Sequence, residues 1–347
     1  YGQESTSDRF SPGYFQAELP GGGEAVIDVG VEGTKPDFTP GKILPDPLIR
    51  QVEKTALDAY VVRRDELSTV IAGYPWFLDW GRDTLIVLRG LVSCGFAEES
   101  KKIIAAFARF ERNGTIPNMI RGNDDANRDT SDAPLYLIVA ARDYIAATGD
   151  RSFLLENCGG RTLREVLLSI VENYRKGTPN GIVMDPESSL IFSPVHFSWM
   201  DTNYPAGTPR EGYPIEIQSL WYAALKFLGF DETADKVSAS VEKLYFSQTR
   251  SFASDCLHAK RGVPAKNAVA DDHLRSNQLL ALTLGVVRKK ELREKIGIMF
   301  GNPETTPDEL LLFFHKMPYK HVLHSGKTII QHMESMFLKK QKQLRII

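Results

Sequence analysis

Arg82 and Asp83 stand side by side at the end of the aromatic-rich stretch Tyr74-Pro-Trp-Phe-Leu-Asp-Trp-Gly-Arg-Asp-Thr84. Flat aromatic surface beside a fixed guanidinium and carboxylate is what a sugar ring needs. The C–H faces of the ring pack on an indole such as Trp80, and its hydroxyls take paired hydrogen bonds from Arg82 and Asp83. An apolar helical run from Leu85 to Val92 follows at once. Asp83 and Thr84 are therefore expected as N-cap residues, with helix amides and dipole directed at the same spot. The competing reading is an Arg–Asp pair that only caps the helix. The stretch by itself leaves both open.

Three more carboxylates occupy similar settings. Asp132, in Asn127-Arg-Asp-Thr-Ser-Asp-Ala-Pro134, stands at a predicted helix start, where capping and ligand contact explain it equally well. Asp201 ends Phe197-Ser-Trp-Met-Asp201, a loop flanked by aromatic residues, where partial desolvation would raise a carboxyl toward the range of a general acid. Glu216 opens a helix after Thr208-Pro-Arg-Glu-Gly-Tyr-Pro214, with Ile217, Leu220 and Trp221 expected to face inward; a first-turn dipole interaction is its plain alternative. The polar cluster Asp271-Asp-His-Leu-Arg-Ser-Asn-Gln278 begins another helix. All four tryptophans (Trp76, Trp80, Trp199 and Trp221) belong to these motifs. That concentration favours a binding cleft over core packing.

Composition narrows the class. The chain has 347 residues, 42% hydrophobic and 25% charged, as in a soluble globular protein of one large or two ordinary domains. A formal charge of -2 gives no electrostatic case for nucleic acid or an acidic membrane surface. No apolar run reaches the length of a membrane span. Cys94, Cys158 and Cys256 are scattered and odd in number, which argues against a disulfide framework or thiolate zinc site and suits a reducing, cytoplasmic setting. No H-E-x-x-H, G-x-S-x-G, phosphate loop or dinucleotide fingerprint occurs, so neither metal nor cofactor is expected. The Pro20-Gly-Gly-Gly23 run lacks a lysine and a following helix and reads as a turn.

The elements that must position these residues are helical. Residues 1–45 read as the end of a β domain, with strands at 14–19 and 24–29; the chain opens on Tyr1, and an upstream part of that domain is expected. From Asp46 the period turns helical, with helices predicted over 46–60, 84–95, 97–112, 131–148, 162–176, 214–229, 231–246, 274–287 and 289–300. Long polar and aromatic connections (62–83, 113–130, 177–213, 250–273) alternate with short ones. In an array of helical hairpins this puts every long loop, and so every motif above, at one end. A closed double ring needs twelve helices, and about nine are legible.

The strings YPWFLDWGRDT, TIPNMI, TSDAP, SWMD with TPREGYPIEIQSLWYAAL, and RSNQLLAL occur in that order between about residues 70 and 300. Together they resemble the amylo-α-1,6-glucosidase part of glycogen debranching enzymes, and Trp80-Gly-Arg-Asp83 is similar to the W-x-R-D of glucoamylases. The resemblance implies an all-α (α/α)6 barrel over 46–296. It implies an inverting hydrolysis of the single glucose at an α-1,6 branch, acting on glycogen, limit dextrin or another branched α-glucan. It makes Asp201 the general acid, Arg82 and Asp83 the grip on the terminal glucose, and Trp80, Asp132, Arg210, Glu216 and Trp221 the pocket lining. Its general base comes from a loop late in the barrel.

That late segment is where the chain departs. The likeness fades after the helix at Arg275, and no candidate base can be named. The last 33 residues hold four of the seven histidines and seven Lys or Arg against one acid, Glu334. Residues 297–347 are therefore expected to be foreign to the barrel, through a frameshift or a truncated frame, leaving the ring incomplete at its C-terminal end. Two alternatives stand beside the debranching reading: an inactive glucan-binding remnant without its base, and a glucoamylase-like exo-glucosidase.

Overall fold

The structure, a computed structural model, describes residues 57–58, 60–64, 66–73, 77–122, 124–201, 209–247, 249–250 and 252–300, with side chains through residue 296. The expected strands before residue 45, most of the expected 46–60 helix, Trp76 and the tail beyond 300 lie outside the described residues.

Among the described residues, four helical pairs carry the fold. They are α1 (Gly81–Ser93) with α2 (Ala97–Arg109), α3 (Ala133–Thr148) with α4 (Leu163–Lys176), α5 (Ile215–Leu228) with α6 (Asp231–Leu244), and α7 (Leu279–Thr283) with α8 (Lys290–Phe300). The first members pack in succession, α1 on α3, α3 on α5 and α5 on α7. Sequence explains why these lie inside. In α3 (APLYLIVAARDYIAAT) and α5 (IEIQSLWYAALKFL) eleven residues each are buried, and a helix apolar all round must be enclosed. The second members are amphipathic. In α4, Leu163, Val166, Leu167, Ile170, Val171 and Tyr174 form one buried stripe, and a Thr162–Glu165 capping box fixes its start. No helix among the described residues is long and apolar enough to cross a membrane.

The all-α expectation needs correction in the loops. Nine short strands thread them among the described residues: β1 (Val61–Arg64), β2 (Leu67–Val70), β3 (Asp79–Trp80), β4 (Met119–Ile120), β5 (Val183–Met184), β6 (Ile191–Phe192), β7 (Gly212–Pro214), β8 (Cys256–His258) and β9 (Val269–Ala270). All pair antiparallel, as β1–β2, β3–β4, β5–β6 and β7–β8–β9. Long loops folded over helix ends bury their own backbone, and short ladders satisfy its N–H and C=O groups. Two ladders join motifs far apart in sequence. β3 sets Asp79 against Ile120 and Trp80 against Met119, and β7 sets Gly212 against His258.

The helix expected over 274–287 is also shorter. A 3-10 turn at Ser276–Gln278 leads into α7, which ends at Thr283. The chain leaves the helix so that Val286 and Val287 can bury completely, and Ser238 Oγ donates to the Val286 carbonyl at 2.7 Å.

Candidate active site

The first site element is the start of α1. The helix begins at Gly81, and Trp80 is its cap with no side-chain hydrogen bond. Gly81 is needed because the Pro117 carbonyl would lie 2.6 Å from a Cβ there, while the Gly81 amide bonds the Asn118 carbonyl at 3.0 Å. The expected N-cap role of Asp83 and Thr84 is thereby corrected. Thr84 Oγ1 donates to the Val70 carbonyl at 3.0 Å, and Asp83 lies in the first turn with its side chain exposed. Partial desolvation nonetheless holds the Asp83 carboxyl above the usual range, against Arg82, with Asp132 and Asp201 adding to the rise.

Arg82 is the hub of the site. Its Nε donates to Asp132 Oδ2 at 2.6 Å and its Nη1 to Asp201 Oδ2 at 3.0 Å. Burial opposes its charge, but Asp132 and Asp201 overcome that and hold the guanidinium firmly protonated. Nη2 is buried without a hydrogen-bond partner among the described residues. Asp132 occupies the cap position of α3 yet caps nothing; its second oxygen accepts from Thr130 Oγ1 at 2.7 Å. The capping reading thus gives way to another role, holding Arg82. Asp201 is the more open partner, with its side chain 24% exposed. The Ser131 amide bonds the Phe197 carbonyl at 2.7 Å, stitching the Asp132 loop to the Asp201 loop.

Behind this lies a second, fully buried network around Arg210, a residue at φ +49. Its Nη1 and Nη2 grip the two Glu216 oxygens, the latter at 2.7 Å. Its Nε meets Asp255 Oδ2 at 2.8 Å, Nη1 also reaches Ser198 Oγ at 3.0 Å, and Nη2 the Asp255 carbonyl at 3.1 Å. Every polar atom of Arg210 is occupied inside the protein. The geometry makes Arg210 and Glu216 a buried frame, with every guanidinium N–H of Arg210 already taken. Gly212, at φ +127, lets this loop pass where the Leu257 carbonyl would stand 2.2 Å from a Cβ.

The tryptophans divide. Trp80 is half-buried and Trp199 is 39% exposed, both on the site loops. Trp221 is fully buried on α5, edge-on to Tyr174 at 6.0 Å, with its Nε1 donating to the Ser189 carbonyl. It is a core residue, and counting tryptophans by motif over-read it. Reasoning from sequence missed Asp255, which binds Arg210, Arg275 Nη1 (2.8 Å) and Asn277 Nδ2 (2.7 Å) at once. A lone acid before the short apolar strand β8 was its faint signal. No cluster of metal-ligating side chains occurs among the described residues, and Cys94, Cys158 and Cys256 are free thiols.

Residues 55–296 match the amylo-alpha-1,6-glucosidase family, and residues 284–346 match the C-terminus of glycosyl hydrolase family 67. The glycogen debranching enzyme of Saccharomyces cerevisiae is 26% identical over 47% of this chain and 14% of its own length. The probable alpha-glucuronidase A of Aspergillus oryzae is 55% identical over 38 residues, 11% of this chain and 5% of that protein. The chain thus spans only a small part of the curated relatives it matches. A GH78 family rhamnosidase of Bacillus sp. GL1 shares the fold over 75% of this chain and 27% of that chain, with a TM-score of 0.53 and 14% identity.

Proposed function

From the premise that this chain belongs to the amylo-alpha-1,6-glucosidase family of glycoside hydrolases, we propose that it binds the terminal glucose of a branched α-glucan such as glycogen or limit dextrin and is built to hydrolyse its α-1,6 link with inversion. The observation carrying this reading is that Arg82 gathers Asp132 and Asp201, from three separate motifs, around one guanidinium with a free Nη2 and an exposed Asp83 beside it. Nη2 and Asp83 supply a donor and an acceptor for adjacent sugar hydroxyls, and Trp80 and Trp199 supply flat surface. Asp201, the most accessible carboxylate in direct contact with Arg82, delivers the proton to the leaving oxygen. An inverting reaction then needs a second carboxylate about 6.5–9.5 Å away across the sugar to activate water. In this reading the four helical pairs are part of an (α/α)6 barrel over 46–296, with cytoplasmic glucan as substrate.

A second reading has a specific observation behind it. The family 67 match over 284–346 begins inside α7–α8, where a six-pair barrel would go on to its base-bearing loop. We therefore propose that the chain beyond about residue 297 is foreign to the helical array. On that account the site grips glucose without turning it over. Incubation with limit dextrin, followed by proton NMR of released sugar, separates the readings. Free glucose appearing first as the β anomer supports inverting hydrolysis. Saturable glucose binding without release supports the remnant. Release of the α anomer, or neither binding nor release, defeats both.

A further inference from the structure

Three consecutive residues before Asp201 are each bonded to one buried carboxylate system. Ser198 Oγ accepts from Arg210, which is seated on Asp255. Trp199 Nε1 donates to Asn277 Oδ1 at 2.8 Å. Asn277 Nδ2 in turn donates to Asp255 Oδ1 at 2.7 Å and lies 3.7 Å from Met200 Sδ. Asn277 and Asp255 are both 2% exposed. We propose that Asn277, oriented by Asp255, is a positioning residue that clamps Trp199 and Met200 and thereby sets the Asp201 carboxylate against Arg82. This rests on the reading of Asp201 as proton donor.

The chemistry restricts what can stand at position 277. An ionised carboxylate only accepts and an indole N–H only donates, so the side chain between them must present a donor to one and an acceptor to the other. A carboxamide does this with its two ends. Asp255 fixes which end is which, because an amide turned over would set two oxygens face to face on the Asp255 side and two donors face to face on the Trp199 side. The orientation passes to Trp199, whose ring is partly exposed while its N–H is held. A segment with three successive residues anchored has little freedom left, and the next side chain, Asp201, is placed where Arg82 Nη1 meets it at 3.0 Å.

The test uses the whole chain and needs no turnover. Four indole signals are expected, one per tryptophan, and W199F identifies that of Trp199. In Asn277→Ala the Trp199 indole proton should exchange faster by about two- to tenfold, the range one lost hydrogen bond spans. The Arg82 Nη1 protons, identified with D201N, should also exchange faster, while the Arg82 Nε proton, bonded to Asp132, keeps its rate. W199F, whose ring lies at the surface, tests the same coupling if Asn277→Ala does not fold: it should speed Arg82 Nη1 exchange with the network otherwise intact. His273→Ala loosens only the far Asp271 end and should leave the Arg82 signals in place. Unchanged Arg82 Nη1 exchange in W199F overturns the inference. So does unchanged exchange in a folded Asn277→Ala, or an equal effect of His273→Ala. Failure of Asp201 as proton donor would show separately, in the substrate comparison for D201N described below.

Discussion

Arg82 and Asp201 lie 119 positions apart in sequence and meet at 3.0 Å, with Asp132 on the other side of the same guanidinium at 2.6 Å. The two contacts are unequal. The Asp132 carboxylate is enclosed and also accepts from Thr130 Oγ1, whereas Asp201 reaches solvent. A cation fixed by a buried acid and leaning on an accessible one can hold its position while the accessible acid engages a ligand.

That inequality should appear in stability. Arg82→Ala strands the Asp132 carboxylate in the interior, which costs about 3–5 kcal/mol for a buried pair broken from one side. Asp201→Asn breaks a partly exposed pair and should stay within about 1 kcal/mol. Urea unfolding of both variants measures the difference; equal losses would mean that Asp201 carries as much structural weight as Asp132.

Asp83→Ala should abolish binding of glucose or an acarbose-type inhibitor while leaving the melt almost unchanged. The side chain is exposed and caps nothing, and surface substitutions of this kind stay within about 0.5 kcal/mol. Calorimetric affinity equal to that of the parent would return Asp83 to a first-turn carboxylate with no ligand.

Asp201→Asn should slow hydrolysis of an α-1,6-linked substrate by at least about 100-fold, the lower range for general acid catalysis. Glucosyl fluoride should suffer far less, because fluoride leaves with little protonation. Both rates are measured in a version of the family domain that turns over. Equal losses on the two substrates would assign Asp201 to binding and remove it as proton donor.

Part of this arrangement is legible in the sequence. Alternating long and short connections put the motifs at one helical end, and Arg82, Asp132 and Asp201 do meet. What spacing could not give was which polar group faces inward. Arg210 and Glu216 read as pocket residues because they lie in a motif; only their mutual bidentate contact reveals a buried frame. Trp221 was misjudged because an indole on an all-apolar inner helix and one on a loop look alike in composition. Asp255 belongs to no motif, and its role comes from three partners on separate segments. The start of α1 moved by a few residues because a tertiary bond to the Asn118 carbonyl satisfies Gly81, which no local capping rule anticipates.

Asp271 predicts an acid-side weakness. Burial alone would raise its pKa, but hydrogen bonds from His273 and Arg275 overcome this and hold it well below its ordinary 3.8. The unfolded chain therefore takes up a proton at this site before the folded chain does. The stability contributed is full above about pH 4–5 and is lost as pH falls from there toward the folded pKa. Asp271→Asn should lower Tm at pH 7 by a few degrees, since about 1 kcal/mol shifts Tm by roughly 2–4 °C at this size. The gap between variant and parent should narrow toward pH 2. A gap constant with pH would mean that the carboxylate charge is not what the site uses.

The last expectation concerns the chain beyond the helical pairs. Within 284–296, the segment common to both family matches, Val286, Val287 and Ile296 are fully buried. This segment is thus built into the array whatever follows it. Ending the chain after residue 296 should therefore leave Tm within about 2–4 °C, the shift of roughly 1 kcal/mol. Ending it after residue 278 removes α7 and α8, with Leu279, Leu280 and the three residues above. At about 1.5–3 kcal/mol for each buried aliphatic side chain, that loss rivals a domain's whole net stability, and the protein should not melt cooperatively. On the second reading, in which the base is missing, neither the full chain nor the 296 version should release glucose from limit dextrin. Glucose release by the full chain that disappears on ending it at 296 would reverse this: the segment after 296 would then supply the base and belong to the site.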